Sequence, residues 1–183
     1  MSSRVAGASI IVVLGCSSTS APADAGGDST VAPDGAACCG EDVNAGASLF
    51  AEPYLGSATW MAWVYTPVCG PLGASRLEMP TDAPAVAVLA DDNGQPGAVL
   101  LAETATTPLG PRQVSATFAA LDLVKGKSIW IAIKHKIPGS ITSGTITPMA
   151  MSGIATPKAF SDNLAGPWKV AGTAAFVFVV SCK

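Results

Sequence analysis

Residues Ala85 to Glu103 read AVAVLADDNGQPGAVLLAE, and this stretch decides the fold class. The apolar run Ala85–Ala90 stops at Asp91-Asp92-Asn93-Gly94-Gln95-Pro96-Gly97, and a second run, Ala98–Ala102, follows. Asn93 and Gly94 both tolerate φ > 0, the requirement of a two-residue hairpin turn, and Pro96-Gly97 adds a rigid residue followed by a permissive one. The stretch therefore reads as two strands joined by a tight acidic loop.

Working outward, the same texture continues. Thr59–Thr66 (TWMAWVYT) is aromatic and β-branched, with Trp60, Ala62 and Val64 on one face and Met61, Trp63 and Tyr65 on the other, so both faces are expected to be partly covered. In Arg112–Ala119, Val114, Ala116 and Phe118 alternate with Gln113, Ser115 and Thr117, the pattern of a strand with one wet face. Ser128–Lys134 sets Ile129, Ile131 and Ile133 against Trp130, Ala132 and Lys134. Short strands are also expected at Ser48–Glu52, Arg76–Met79 and Ile141–Met151, a loop at Ile154–Pro167, and a final strand at Ala174–Val180. No segment holds a helical period; about eight strands at spacings of about ten residues, broken by Gly and Pro, predict an all-β, antiparallel, jelly-roll-like β-sandwich. A closed barrel fits the same pattern, but irregular loop lengths favour the sandwich.

The chain has 183 residues, enough for one domain with a real core, and a formal charge of -3 from Lys+Arg 10 and Asp+Glu 13. That balance gives no electrostatic footprint for nucleic acid. At the N-terminus, Arg4 precedes the apolar stretch Ala6–Leu14, which is shorter than the span of about 20 residues a membrane helix needs and reads as an export signal. Val13-Leu14-Gly15-Cys16 resembles the lipobox of bacterial lipoproteins, which implies lipidation of Cys16, and Ser17 after it resembles those sorted to the outer membrane. The expected organisation is a signal peptide at 1–15, a lipidated N-terminus and flexible Ser/Ala/Pro/Asp/Gly linker at 16–44, and a β-sandwich domain at 45–183. The location expected is the outer membrane or the extracellular surface, with the lipid anchor in the membrane. Cys38, Cys39, Cys69 and Cys182 then form an even set in an oxidising compartment. Adjacent cysteines bridge each other only with strain, so Cys38 and Cys39 are expected to pair with Cys69 and Cys182, in either combination.

The hairpin Ala90-Asp91-Asp92-Asn93-Gly94-Gln95-Pro96-Gly97, followed later by Gly126-Lys127-Ser128-Ile129-Trp130, resembles a class of bacterial exported β-sandwich modules. Those modules carry a Ser-Asp-x-x-Gly-x-Pro-Gly hairpin and a Gly-x-x-Tyr-Trp strand. Ala90 and Ile129 depart from the pattern, whereas Asp91, Gly94, Pro96, Gly97, Gly126 and Trp130 match it. The resemblance implies a jelly-roll shape related to carbohydrate-binding domains, over about Ala47 to Cys182.

For function, Trp60, Trp63, Tyr65, Trp130 and Trp168 are the candidates for a sugar-stacking surface, because a flat aromatic ring matches the apolar face of a pyranose. Trp168, in the loop Gly166–Lys169, is the one expected to be most exposed. Asp91, Asp92 and Asn93 offer too few oxygens for a calcium site, which takes about six to eight, and are read as hairpin residues. His135 lacks a recognisable nucleophile motif, and Glu41, Glu52, Glu78 and Glu103 form no marked catalytic pair. No catalytic residue, metal or cofactor is therefore assigned. The leading expectation is a non-enzymatic surface binding or adhesion module, for carbohydrate or another envelope protein. A structural or assembly protein of the envelope or an appendage is the alternative, and a hydrolase a distant one. A concave face bearing Trp168 and a second exposed aromatic favours glycan; an unpaired strand edge favours assembly with protein.

Overall fold

A computed structural model describes residues 41–44, 49–50, 58–68, 72–119, 121–136, 145–151 and 153–182. The signal peptide, Cys16, the linker as far as Gly40, and Cys38, Cys39 and Cys69 lie outside the described residues. The strands are β1 (Glu41–Val43), β2 (Leu49–Phe50), β3 (Trp60–Tyr65), β4 (Leu72–Met79), β5 (Ala85–Asp92), β6 (Gln95–Gly110) and β7 (Gln113–Thr117). They continue with β8 (Asp122–Leu123), β9 (Ile129–Lys134), β10 (Met149–Ala150), β11 (Ala155–Ser161), β12 (Lys169–Ala175) and β13 (Phe178–Cys182). All described residues fall within the compact unit Pro33–Lys183.

Eleven strands form one sheet in the order β1-β13-β4-β7-β6-β5-β9-β3-β11-β12, with β8 attached to β4, and β10 and β2 make a separate pair. Every pairing is antiparallel. The fold is thus all-β and antiparallel, built as a curled, half-barrel-like sheet where the sequence reading expects a jelly-roll sandwich. The curl comes from β6, a strand of 16 residues. It pairs with β5 from Gln95 to Ala105 and then with β7 from Thr106 to Gly110, so one backbone belongs to two successive neighbours.

Curling lets one face of the sheet close on itself. Met61, Trp63 and Tyr65 of β3, Val86 and Val88 of β5, and Ile129, Ile131 and Ile133 of β9 share a core with Leu77 and Met79 of β4, Val114 and Ala116 of β7, and Phe178 and Val180 of β13. Trp63 stacks on Phe176 with centroids 4.4 Å apart, and Tyr65 meets Phe178 edge-on at 4.9 Å. The opposite face of β3, β5, β9 and β11 buries a second cluster of Trp60, Ala62, Ala87, Leu89, Trp130, Ala132 and Ala159.

Several elements differ from the sequence reading. Ile154–Pro167, read as loop, contains β11, whose Pro157 and Lys158 disguise a strand. The missing Pro157 N–H falls at a register shift, where the ladder is already interrupted. The run Ala174–Val180 is divided, because Val177 N–H turns to donate to the Pro148 carbonyl at 3.0 Å. Glu41–Val43, assigned to the linker, pairs antiparallel with Phe178–Val180 of β13.

The expected disulfide framework of Cys38, Cys39, Cys69 and Cys182 requires correction, since no Cys–Cys pairing is present among the described residues. Among the described residues, hydrogen bonds attach the N-terminal end of the domain. Besides the β1–β13 ladder, Asn44 Nδ2 donates to the Phe176 carbonyl at 2.7 Å, and Asn44 Oδ1 accepts from Ile154 N–H at 2.8 Å.

The hairpin itself is closed by the Asp92–Gln95 pair, with Asn93 at φ 53 and Gly94 at φ 81. Positive φ at both central residues matches the right-handed twist of the flanking strands. An added methyl meets nothing within 4 Å at either Gly94 or Gly110, but only Gly94 sits at positive φ. Gly94→Ala is therefore expected to destabilise the fold by about 1–2 kcal/mol in urea unfolding. Gly110→Ala is expected to change stability by no more than about 0.5 kcal/mol.

Candidate functional site

The aromatic candidates are built into the two clusters. Alternation along β3 sends Trp63 and Tyr65 to the inner core and Trp60 to the outer cluster; Trp130 on β9 joins Trp60, and all four are buried. Lys134 Nζ lies 5.7 Å from the Trp60 ring centroid. Trp168 is half-buried. The loop between β11 and β12 folds back so that Leu164 and Trp168 pack on the outer cluster. Trp168 Nε1 donates to the Leu164 carbonyl at 3.2 Å, and Ser161 Oγ donates to the Pro167 carbonyl at 2.8 Å. The loop thus closes over the aromatic face, and the five rings serve packing.

Asp91 anchors the hairpin to β9. Its Oδ1 accepts from Trp130 Nε1 at 2.6 Å and its Oδ2 accepts from Gly94 N–H at 3.2 Å, so one carboxylate satisfies a buried indole and caps the turn. Asp92 Oδ1 accepts from Asn93 Nδ2 at 2.9 Å. Pro96 and Gly97 are buried at the start of β6. Among the described residues no three His, Cys, Asp or Glu side chains converge to hold a metal ion.

A polar knot that sequence reasoning missed holds the far end of β9. Asp82 Oδ1 accepts from Ile146 N–H and Asp82 Oδ2 accepts from Lys136 Nζ, both at 2.7 Å. Thr145 Oγ1 accepts from Lys136 N–H at 2.7 Å, and Thr81 Oγ1 donates to the Ile146 carbonyl. These contacts span residues distant in sequence, and no local motif announces them. His135 is buried beside them and donates through Nδ1–H to the Ala58 carbonyl at 2.6 Å. Burial lowers its pKa below the ordinary 6.5; the Ala58 hydrogen bond and the Asp82 charge oppose this without reversing it.

Several clefts are lined by the described residues. An apolar one of about 370 Å³ lies at the Tyr65 end of β3, lined by Val43, Tyr65, Val68, Phe176 and Phe178 with Asn44, Thr66 and Thr156 as its polar groups. A groove of about 410 Å³ beside Glu78 and Arg112, and another of about 420 Å³ beside Asp82, Arg112 and Lys136, flank the β6–β7 turn. None assembles a nucleophile with a base among its described lining.

The feature that does stand out is the edge of β6. Between Gln95 and Ala105 this strand pairs only with β5, and its other edge has no strand partner among the described residues. Along it Ala98, Val99, Leu100 and Leu101 are exposed in succession, Val99 at 62%, Leu100 at 45% and Leu101 at 42%. The register explains the exposure. Gly97 to Leu101 lie between the pairs Asp91–Pro96 and Val88–Ala102, where β5 supplies only Leu89, opposite Leu100, and Ala90, so the ladder is interrupted on both sides of Leu100. The apolar run Ala98–Leu101 was visible in the sequence, but its place on an edge is a property of topology.

No protein-family model matches the chain, and no curated protein matches it.

His135 is the one histidine in the chain, so its linkage can be read directly. Because its folded pKa is depressed, the unfolded chain binds a proton below about pH 6.5 that the folded imidazole refuses. Stability is expected to be full above pH 6.5 and to fall as the pH drops through the folded-state value. Urea midpoints between about pH 5 and pH 8 should show this slope, and His135→Gln should flatten it.

Proposed function

We propose that this chain is a non-enzymatic interaction module of the cell envelope that assembles with protein by receiving an extended strand along the free edge of β6. The leader-like residues up to Leu14 and the lipobox-like Val13–Cys16 support the envelope placement. The hairpin's resemblance to exported jelly-roll modules accords with it. The observation that carries the assembly reading is the edge from Gln95 to Ala105, without a strand partner among the described residues, with Val99, Leu100 and Leu101 exposed. Unpaired backbone donors and acceptors flanked by apolar side chains are what strand addition requires, and only another extended chain offers both.

Glycan stacking is less well supported, because Trp60, Trp63, Tyr65 and Trp130 are buried and Trp168 is packed against the cluster that holds Trp60 and Trp130. The test pairs two probes on the full chain. A panel of uncharged, extended peptides of alternating Val and Thr is expected to bind wild type, with binding lost in Leu100→Lys. A glycan array is expected to give no signal that Trp168→Ala removes. Trp168-dependent glycan binding with no uptake of the peptides would overturn the reading.

A further inference from the structure

We infer that the cleft beside the β6–β7 turn binds a small hydroxylated monocarboxylate, and that Arg112 is the residue that takes its carboxylate. Among the described residues, the non-glycine residues at positive φ are Asn44 at φ 58, Asn93 at φ 53 and Arg112 at φ 58. Asparagine enters this region readily, whereas a long side chain does so at a conformational cost that other interactions have to offset. Both asparagines also use their side chains there, Asn44 on Phe176 and Ile154, and Asn93 on Asp92. Arg112 has neither advantage. Among the described residues its guanidinium makes no hydrogen bond and no ion pair. A residue that strains its turn and makes no contact within the fold is placed to act on something outside it.

Arg112 and Gln113 line a cleft of about 420 Å³ together with Asp82, Thr106 and Lys136, a size that suits a small molecule. Arg112, Lys136 and Asp82 are the charged groups of its described lining. Asp82 is already answered, since Oδ2 accepts from Lys136 Nζ and Oδ1 from Ile146 N–H, both at 2.7 Å. That pair cancels, and the Arg112 guanidinium is left as one uncompensated cation in a chain whose formal charge is -3. Its planar fork of N–H donors fits a carboxylate bidentately, and one positive charge answers one negative. A phosphate dianion would bring a second negative charge up to Asp82 with no cation to balance it.

The neutral groups of the cleft set the rest of the ligand. Thr106 Oγ1 gives its proton to the Ala83 carbonyl and can only accept from a ligand. Lys136 has one N–H on Asp82 and keeps two to donate. An acid with an alkyl body would take these groups out of water without replacing their hydrogen bonds, whereas hydroxyls satisfy both kinds. The β6 residues that line the cleft lie beyond Ala105, where the strand has passed to β7, so binding here is independent of strand addition along Gln95 to Ala105.

Titration of the ¹⁵N-labelled full chain at fixed ionic strength tests this, with sodium gluconate as the hydroxylated acid, sorbitol and hexanoate as the neutral and alkyl counterparts, and inorganic phosphate as the other anion. Gluconate should shift the amides of Gly110, Arg112 and Gln113 saturably, sorbitol and phosphate should not, and hexanoate should bind at least about fivefold more weakly. Arg112→Gly relieves the positive φ while removing the guanidinium, so it should raise Tm and weaken gluconate binding at least about tenfold. Arg112→Lys keeps the charge without the fork and should fall between the two. Absence of a saturable gluconate shift, affinity unchanged in Arg112→Gly, or hexanoate or phosphate binding as tightly as gluconate would overturn the assignment. A Tm lowered by Arg112→Gly would also overturn it, because the guanidinium would then serve the fold.

Discussion

The fold depends on one backbone constraint: β6 must satisfy β5 with its first part and β7 with its second. A strand that changes neighbours along its length cannot keep both in one plane, because each pairing adds its own right-handed twist. The sheet curls, and residues on strands far apart in the strand order are brought to one inner face. That face holds the core in which Trp63 lies on Phe176 and Tyr65 meets Phe178. The same constraint creates the feature assigned to function. While β6 is paired with β5, its opposite edge waits for a neighbour that β7 supplies only from Thr106 onward.

Anchors of different chemistry hold the curled sheet in register. Asp91 joins the hairpin turn to the Trp130 indole, so the tip of β5 cannot slip along β9 without stranding a buried N–H. Asp82 ties the β4–β5 connection to Ile146 and Lys136, and Asn44 ties the end of β1 to Phe176 and Ile154. In each case one short polar side chain joins groups from a segment remote in sequence: the Trp130 indole, the Ile146 backbone and Lys136 ammonium, or the Phe176 and Ile154 backbone.

What was legible in the sequence is what local physics controls. Asn93-Gly94 announces its turn because few residue pairs accept positive φ, and the alternation of β3 and β9 is visible because sheet faces repeat every second residue. β11 was hidden because Pro157 and Lys158 are poor strand formers, and it is held by pairing on both sides, with β3 and β12. The aromatic candidates were read as a set on composition, but which rings reach solvent is decided by a loop folding over them, and Leu164 and Trp168 gave no local sign of doing so. The candidate edge was least legible of all. Ala98–Leu101 looks like half of a buried hairpin until the partner of every strand is known.

The most direct test of the account is residue-resolved amide hydrogen exchange along β6 in the dilute full chain. Amides between Gln95 and Ala105 that point to β5 should be protected, those on the opposite edge should exchange fast, and from Thr106 onward protection should pass to the amides that point to β7. Uniform protection of Gln95 to Ala105 would mean that the edge is already covered within one chain, and would contradict the account.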